Sequence, residues 1–429
     1  MTENYLYILI AICVAIIGWS MILLERVYQY PFFMAAIFMS FIVPQANALV
    51  NSNSSIVLSQ EVIGKVLLYS CLCAAMCWIG YKLYQPNPKW LAKLDIPLDE
   101  NKLLRTGFIL LSIAYICYSI LPSLAVETGA NGNLTGPATI LLFFGSVIFV
   151  AFPIFLLAAV KNPQFINITL TIIAALPIVQ SVLGGRRQPT IVFLLTIGMV
   201  FFLVKNYIPP RWFFLVFIVM AALIIPVLGN LRGDFWTLIF NGDWQSLADS
   251  TQANFDKLNR GEILELRNAA LMIDGSDKTN TFGYGTGWWD SVIFQYVPGQ
   301  IVGFDVKQSL QFGISVDLEA VYGYTPPNGT TTTGMGDTYN QFGYLGCLVF
   351  AVIGCIFKTL WTSLVYRQSI VSSLLYIGLM GPAMVGITHG IGRFLQEFIF
   401  QVLVMYLIVR FSRESTKIAV HPKRKFINH

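Results

Sequence analysis

The chain has 429 residues, of which 56% are hydrophobic and only 11% are charged. A soluble domain runs about 45–50% apolar and about 25% charged, so this composition excludes a soluble enzyme, a disordered chain and a small disulfide scaffold. The formal net charge of +5 gives no bulk sign of a nucleic-acid partner, and the mean hydropathy of +0.67 points to a bilayer.

An apolar run of about 20 residues crosses the hydrocarbon core as a helix. Eleven such runs follow one another: Tyr5–Leu24, Pro31–Val50, Val62–Leu83, Leu104–Leu124, Ala138–Val160, Phe165–Leu183, Thr190–Val204, Trp212–Gly229, Gly343–Trp361, Ser369–Thr388 and Phe394–Phe411. The expected fold class is an all-α polytopic membrane protein. Residues 1–229 hold eight spans, 230–340 form one large outer segment with short helices, 341–411 hold three spans, and 412–429 are a basic tail. Met1-Thr2-Glu3-Asn4 supplies no positive leader, so the first span reads as a retained helix with an exported N-terminus.

Positive charge then tests the orientation. With the N-terminus outside, the inner loops carry Arg26, Lys82, Lys89, Lys93, Lys102, Arg105, Lys161, Lys205, Arg211, Lys358, Arg367 and the tail from Arg413 to Lys425. The outer loops Gln45–Glu61 and Ala125–Pro137 hold no Lys or Arg. An odd number of spans leaves the C-terminus inside, with its Lys423-Arg424-Lys425 run. The seven cysteines all fall in apolar runs and read as small core hydrophobes, with no disulfide framework or zinc spacing. Three scattered histidines do not make a metal site.

Some cations break the pattern. Arg186 and Arg187 sit in a very short outer turn, Arg393 follows His389 in the last outer turn, and Arg232 opens the outer segment. Ionisable groups at membrane depth are functional candidates. Single arginines also snorkel at helix ends, but snorkelling does not explain several of them on one side.

The outer segment, 230–340, holds 13 acids against 6 bases. It is too short and too apolar in patches for a separate core and reads as a lid of partly embedded pieces. Trp244–Asp274 shows helical periodicity interrupted at Gly261, with Arg260 and Arg267 seven apart on one face. Trp288–Val297, ending at Pro298-Gly299, suits an interfacial helix. Gly283-Tyr284-Gly285-Thr286-Gly287 follows no strand and reads as tight turns rather than a nucleotide cradle. The stretch from Pro326 through Thr333 to Asn340 reads as a polar, turn-rich loop, either the lining of a sugar site or a plain linker.

Three stretches give the chain a family likeness. They are Gly184-Gly185-Arg186-Arg187-Gln188-Pro189; Tyr284-Gly285-Thr286-Gly287 followed by Val297-Pro298 and Asp305-Val306-Lys307; and Thr332 to Gly346, with its Gly336-Asp337, Tyr339, Phe342-Gly343 and Gly346. With these the second half of the chain resembles the Wzy-type O-antigen (oligosaccharide repeat-unit) polymerases, with the O-antigen ligases as relatives. The resemblance implies a helical GT-C-like membrane glycosyltransferase at the outer face of a bacterial cytoplasmic membrane, without metal or other cofactor. Its substrate would be a polyprenyl (undecaprenyl) diphosphate-linked oligosaccharide drawn from membrane lipid, and its partner a chain-length regulator. The growing glycan would pass onto an incoming lipid-linked unit as the diphosphate lipid leaves.

That chemistry needs cations for the diphosphate and a base for the acceptor hydroxyl. No Asp-x-Asp pair occurs in the outer segment. Arginine pairs bidentately with phosphate oxygens and stays charged, so Arg186, Arg187, Arg232 and Arg393 are the candidates. Asp337 is the first choice of base and His389 the second. Tyr339, Thr333 and Asn340 are candidate sugar contacts, and Glu397 is expected to pair with Arg393 one turn away. The alternatives are a ligase using the same site, a lipid-oligosaccharide flippase or transporter, and a passive scaffold. A transporter calls for charges or broken helices at mid-depth, commonly in repeated halves, and neither charged span centres nor an internal repeat is visible.

Overall fold

In the computed structural model the described residues are 2–51, 58–124, 127–128, 134–135, 137–216, 218–220, 234–259, 265–327 and 329–414. Their regular structure is helical, apart from a two-residue antiparallel pairing of Glu127–Thr128 with Leu134–Thr135 and an isolated bridge between Leu98 and Arg413. In chain order the helices are α1 Thr2–Ile22, α2 Tyr30–Asn51, α3 Gln60–Leu83, α4 Pro88–Leu94, α5 Glu100–Ile120, α6 Pro137–Lys161, α7 Phe165–Leu183, α8 Arg187–Lys205 and α9 Arg211–Met220. The long segment adds α10 Asp234–Phe240, α11 Trp244–Asn259, α12 Glu265–Thr279, α13 Thr286–Tyr296, α14 Gly299–Val302, α15 Phe304–Ser309, α16 Leu318–Tyr322 and α17 Thr333–Phe342. The chain closes with α18 Leu348–Arg367, α19 Ile370–His389 and α20 Ile391–Ser412.

Ten helices among the described residues are long and apolar enough to cross a membrane, so this is an all-α multi-pass membrane protein. The eighth expected span, Trp212–Gly229, begins as α9, and 217 and 221–229 lie outside the described residues. Local signals set many helix starts. Ser59 accepts from the Val62 amide at the head of α3, Asp99 from Lys102 at α5, and Ser369 from Ser372 at α19, each satisfying an amide the helix itself cannot pair. In α2, Pro44 lacks an amide hydrogen, and the helix widens to a π turn over Phe38–Ile42 just before it. Nearly every residue of α19 is buried, which makes it the central helix. The seven cysteines are all free, six of them buried and Cys355 half-buried.

Polar contacts sort the bundle into two ends. At one, Ser369 Oγ donates to Leu94 O at 2.6 Å, Arg367 pairs with Asp95 at 3.2 Å, and Lys161 pairs with Glu100. At the other, Thr2 Oγ1 donates to Gln60 Oε1 at 2.8 Å and Trp236 Nε1 to Val182 O at 2.8 Å. The first is the tail end, and Arg26, Lys82, Lys161, Lys205, Arg367 and Arg413 gather there. The second is the lid end, which carries the long segment.

The lid is part of the core rather than a separate globule. Leu266, Ala269, Ala270 and Ile273 of α12 and Met335 and Tyr339 of α17 join the main apolar cluster of the bundle. Gln45 of α2, itself buried, accepts the Leu266 amide at 2.9 Å and caps α12.

The periodic stretch Trp244–Asp274 carries α11 over Trp244–Asn259 and α12 from Glu265, and the expected interruption at Gly261 lies outside the described residues. Arg260 lies outside the described residues as well, and Arg267 is buried with its guanidinium 3.1 Å from Tyr324 Oη. One expectation needs correction: the polar loop through Asn340 is wrong in its second half. Thr333–Phe342 is the buried helix α17, and a break at Gly343 and a 3-10 turn over Gly343–Cys347 precede the apolar helix α18. The expected ninth span, Gly343–Trp361, therefore forms its helix from Leu348 to Arg367.

Candidate functional site

Helix α17 organises the lid end, and it packs where its composition lets it. A Cβ on Gly334 would stand 2.4 Å from Gly386 O of α19, so only glycine admits this crossing. Asp337 and Tyr339, two residues apart, turn about 200° around the helix and face different neighbours.

Asp337 faces the turn between α19 and α20. Its Oδ1 accepts Trp288 Nε1 of α13 at 3.0 Å, and its Oδ2 accepts the Gly392 amide at 3.1 Å. The carboxylate thus sits on the open amides at the start of α20, where the helix dipole favours an anion. Gly390 in that turn has φ 113°, and a Cβ there would lie 3.0 Å from Asp337 Oδ2. Asp337 therefore fixes the segment His389–Arg393 as well as standing beside it.

On that turn His389 is exposed, and its Nδ1 lies 2.7 Å from Thr388 Oγ1. The carbonyl of Thr388 accepts Thr331 Oγ1 at 2.7 Å, which ties the Thr-rich loop to α19. Arg393 is exposed and reaches Glu397 at 3.1 Å and Gln396 Oε1 at 3.1 Å. The pairing with Glu397 expected from the i,i+4 spacing is therefore present.

The second cationic turn stands on the neighbouring helix. Arg186 is exposed at the start of α8, within electrostatic reach of Tyr118, and Arg187 is the first residue of α8. Helices α8 and α19 touch: a Cβ on Gly381 would fall 2.2 Å from Val192. Val192 lies five residues below Arg187 and Gly381 eight below His389, so both turns cap the lid end of one helix pair. The side chain of Arg187 and all of Arg232 lie outside the described residues.

The candidate sugar contacts fall elsewhere. Tyr339 donates to Asp277 at 3.0 Å on the side of α3 and α12. Asn340 is buried and donates to Ser276 Oγ at 3.0 Å, while its Oδ1 accepts Gln341 Nε2 at 3.3 Å. Thr333 is fully buried at φ 55°, its hydroxyl without a partner among the described residues. These three do not line one surface with Asp337.

The glycine-rich loop wraps the end of α17. Gln341 Oε1 accepts the amides of Gly285 at 2.9 Å and Gly287 at 3.3 Å, and the Gly283 amide donates to Asn340 O at 2.9 Å. A Cβ on Gly283 or Gly287 would meet the Gln341 amide at 2.4 or 2.6 Å. Turn packing accounts for all three glycines.

A residue missed in the sequence is Lys65, hidden inside the third span. It sits near the lid end of α3, pairs with Asp277, and lies 5.2 Å from the Tyr339 ring and 5.7 Å from the Tyr344 ring. A lysine less than two turns into the lid end of a span breaks the positive-inside pattern just as the arginines do, and that was the available signal. Asp274, one turn before Asp277, pairs with Lys278 at 2.7 Å and accepts Tyr322 Oη. Burial, with Asp274 beside it, pushes the Tyr322 phenol well above its ordinary range, so it stays a donor. The spacing of Asp274 and Asp277 thus serves two separate ion pairs.

Comparison of the chain with protein-family profiles, with curated proteins and with solved structures returned no match.

Proposed function

We propose that the protein is a membrane glycosyltransferase acting on polyprenyl diphosphate-linked oligosaccharides, an oligosaccharide repeat-unit polymerase working at the lid end. The observation that carries this reading is the placement of two cationic turns, Arg186–Arg187 and His389–Arg393, at the lid end of adjacent helices, the second of them bonded to the carboxylate of Asp337. The other cations at the ends of the membrane helices, Lys65 excepted, gather at the opposite end. The placement of these cations against the bias suits a leaving group of two or more negative charges that arrives from the membrane.

In this reading the acceptor hydroxyl attacks the anomeric carbon of the donor. The bond from that carbon to the diphosphate oxygen breaks and the new glycosidic bond forms. The diphosphate leaves with the electron pair, and Arg187 and Arg393 stabilise its charge. The hydroxyl proton passes to Asp337, whose carboxylate is held in place by Trp288 and the Gly392 amide. His389 lies in the same turn and is the second choice for that proton.

Among the described residues no charged side chain is buried in the membrane-crossing helices; the one buried charge, Arg267, belongs to the lid. This favours chemistry at one end over a mid-depth transport site. The test is reconstitution in vesicles with purified lipid-diphosphate repeat units. A ladder of polymer that disappears in Arg187→Ala and Arg393→Ala supports the reading. Intact substrate moved between leaflets, with no new glycosidic bond, overturns it in favour of a transporter.

A further inference from the structure

The segment after α13 is tied to that helix through backbone groups. Polar side chains of α13, with Lys307 of the segment itself, make the ties. Asp290 accepts the amides of Phe312 at 2.8 Å and Gly313 at 2.9 Å, Trp289 Nε1 donates to Leu310 O at 2.9 Å, and Lys307 Nζ donates to Phe294 O at 2.8 Å. Its large apolar side chains turn out: Ile301 is 75% exposed, Phe304 68% and Phe312 62%. A loop in water has the reverse arrangement. Satisfied backbone inside and hydrocarbon outside is what a lipid surround demands.

The depth of α13 agrees. Tyr296 Oη donates to Gln396 O at 2.6 Å, and Gln396 Nε2 donates to Ser291 O at 2.6 Å. The Tyr296 ring lies 5.6 Å from Phe143, which lies 4.8 Å from Phe400. Gln396 is five residues past the start of α20, or about 8 Å down its axis at 1.5 Å per residue. The chain thus enters 299–314 from a level below the lid ends of the spans. Farther down, α20 exposes Leu403, Tyr406 and Phe411, so the outward face of the segment continues an apolar belt. Asp305, Gln308 and Ser309 are exposed too, which puts the segment at the boundary of tails and headgroups rather than deeper.

We propose that residues 294–314 form an in-plane lip that dips into the lid-end leaflet, with Phe294, Ile301, Phe304 and Phe312 against bilayer lipid. Lys307, bound to the end of α13 and 4.6 Å from the Phe294 ring, closes the fold of the lip rather than facing the headgroups. This goes beyond the proposed reaction and does not depend on it.

The test uses the full chain carrying Ile301→Cys or, separately, Phe304→Cys, labelled with a nitroxide and reconstituted in phosphatidylcholine–phosphatidylglycerol vesicles. The native cysteines are buried or half-buried, so the labelled wild type serves as the blank. Leu403→Cys on α20 gives the lipid standard and Asp249→Cys on α11 the water standard. The lip requires that collisions with oxygen exceed those with a water-soluble nickel chelate at both positions, as at Leu403. A profile like that of Asp249, with the chelate favoured, overturns it. Exclusion of both reagents also overturns it and assigns the face to a protein contact, such as a second copy of the chain.

Discussion

The link from Asp337 to Trp288 and Gly392 can be tested apart from any reaction. Asp337→Ala removes the acceptor from two donors, Trp288 Nε1 at 3.0 Å and the Gly392 amide at 3.1 Å. Hydrogen bonds to a charged group contribute about 1.5–3 kcal/mol each, so the loss should be about 3–6 kcal/mol. Asp337→Asn keeps one oxygen, and its amide then faces one of the same donors, so about half of that loss is expected. Trp288→Phe removes one bond while keeping a ring beside Phe342, 5.3 Å away, and should cost about 1.5–3 kcal/mol. The double variant should cost less than the sum, with a coupling of about 1–2 kcal/mol. Unfolding of the purified protein in mixed detergent micelles gives all four values. Asp337→Ala within about 0.5 kcal/mol of wild type, or a coupling of zero, would refute the claim that this carboxylate locks the turn. Glycosyl transfer by Trp288→Phe adds a second readout. If Asp337 both takes the proton and positions the turn, this variant slows even though the carboxylate is intact; an unchanged rate would remove the positioning role.

Gly390→Ala puts a Cβ at φ 113° and 3.0 Å from Asp337 Oδ2, and should destabilise by about 1–3 kcal/mol; a wild-type melting temperature would contradict it. Gly283→Ala and Gly287→Ala clash with Gln341 at 2.4 and 2.6 Å and should each cost about 1–3 kcal/mol. Adding Gln341→Ala should relieve part of that cost, and strictly additive losses would count against the packing explanation. Arg187→Ala and Arg393→Ala should slow transfer by about 10²–10³-fold while leaving helical content and melting unchanged. Lysine at either position should restore only part of the rate, and full activity in the alanine variants would sink the diphosphate assignment. The Lys65–Asp277 pair is partly solvated, at 23% and 35% exposure. Lys65→Met with Asp277→Asn should therefore shift stability by no more than about 1 kcal/mol; a loss above about 2 kcal/mol would show that the pair holds α3 to α12.

The spans were legible because a bilayer imposes length and apolarity directly on the sequence. Phe165–Leu183 coincides with α7 to the residue. Helix α17 was not legible for the opposite reason. Thr332-Thr333-Gly334-Met335-Gly336 has the glycines and β-branched threonines that disfavour a helix, and local reading makes it a loop. It is helical because glycines let it press against α12 and α19 and because its side chains find partners far along the chain: Trp288, Gly392, Asp277, Ser276 and Gly285. Distant partners leave no spacing to read. Their identity also changes how the motif bears on function. Thr338 meets the hydroxyl of Tyr69 at 3.0 Å, and Tyr339, Asn340 and Gln341 are each engaged inside the fold. The polar groups of α17 that looked like a sugar lining thus serve mostly to seat the helix. Among them Asp337 alone meets the His389–Arg393 turn, so the proposed chemistry rests on that carboxylate and on the two cationic turns, not on the hydroxyl-rich stretch before α18.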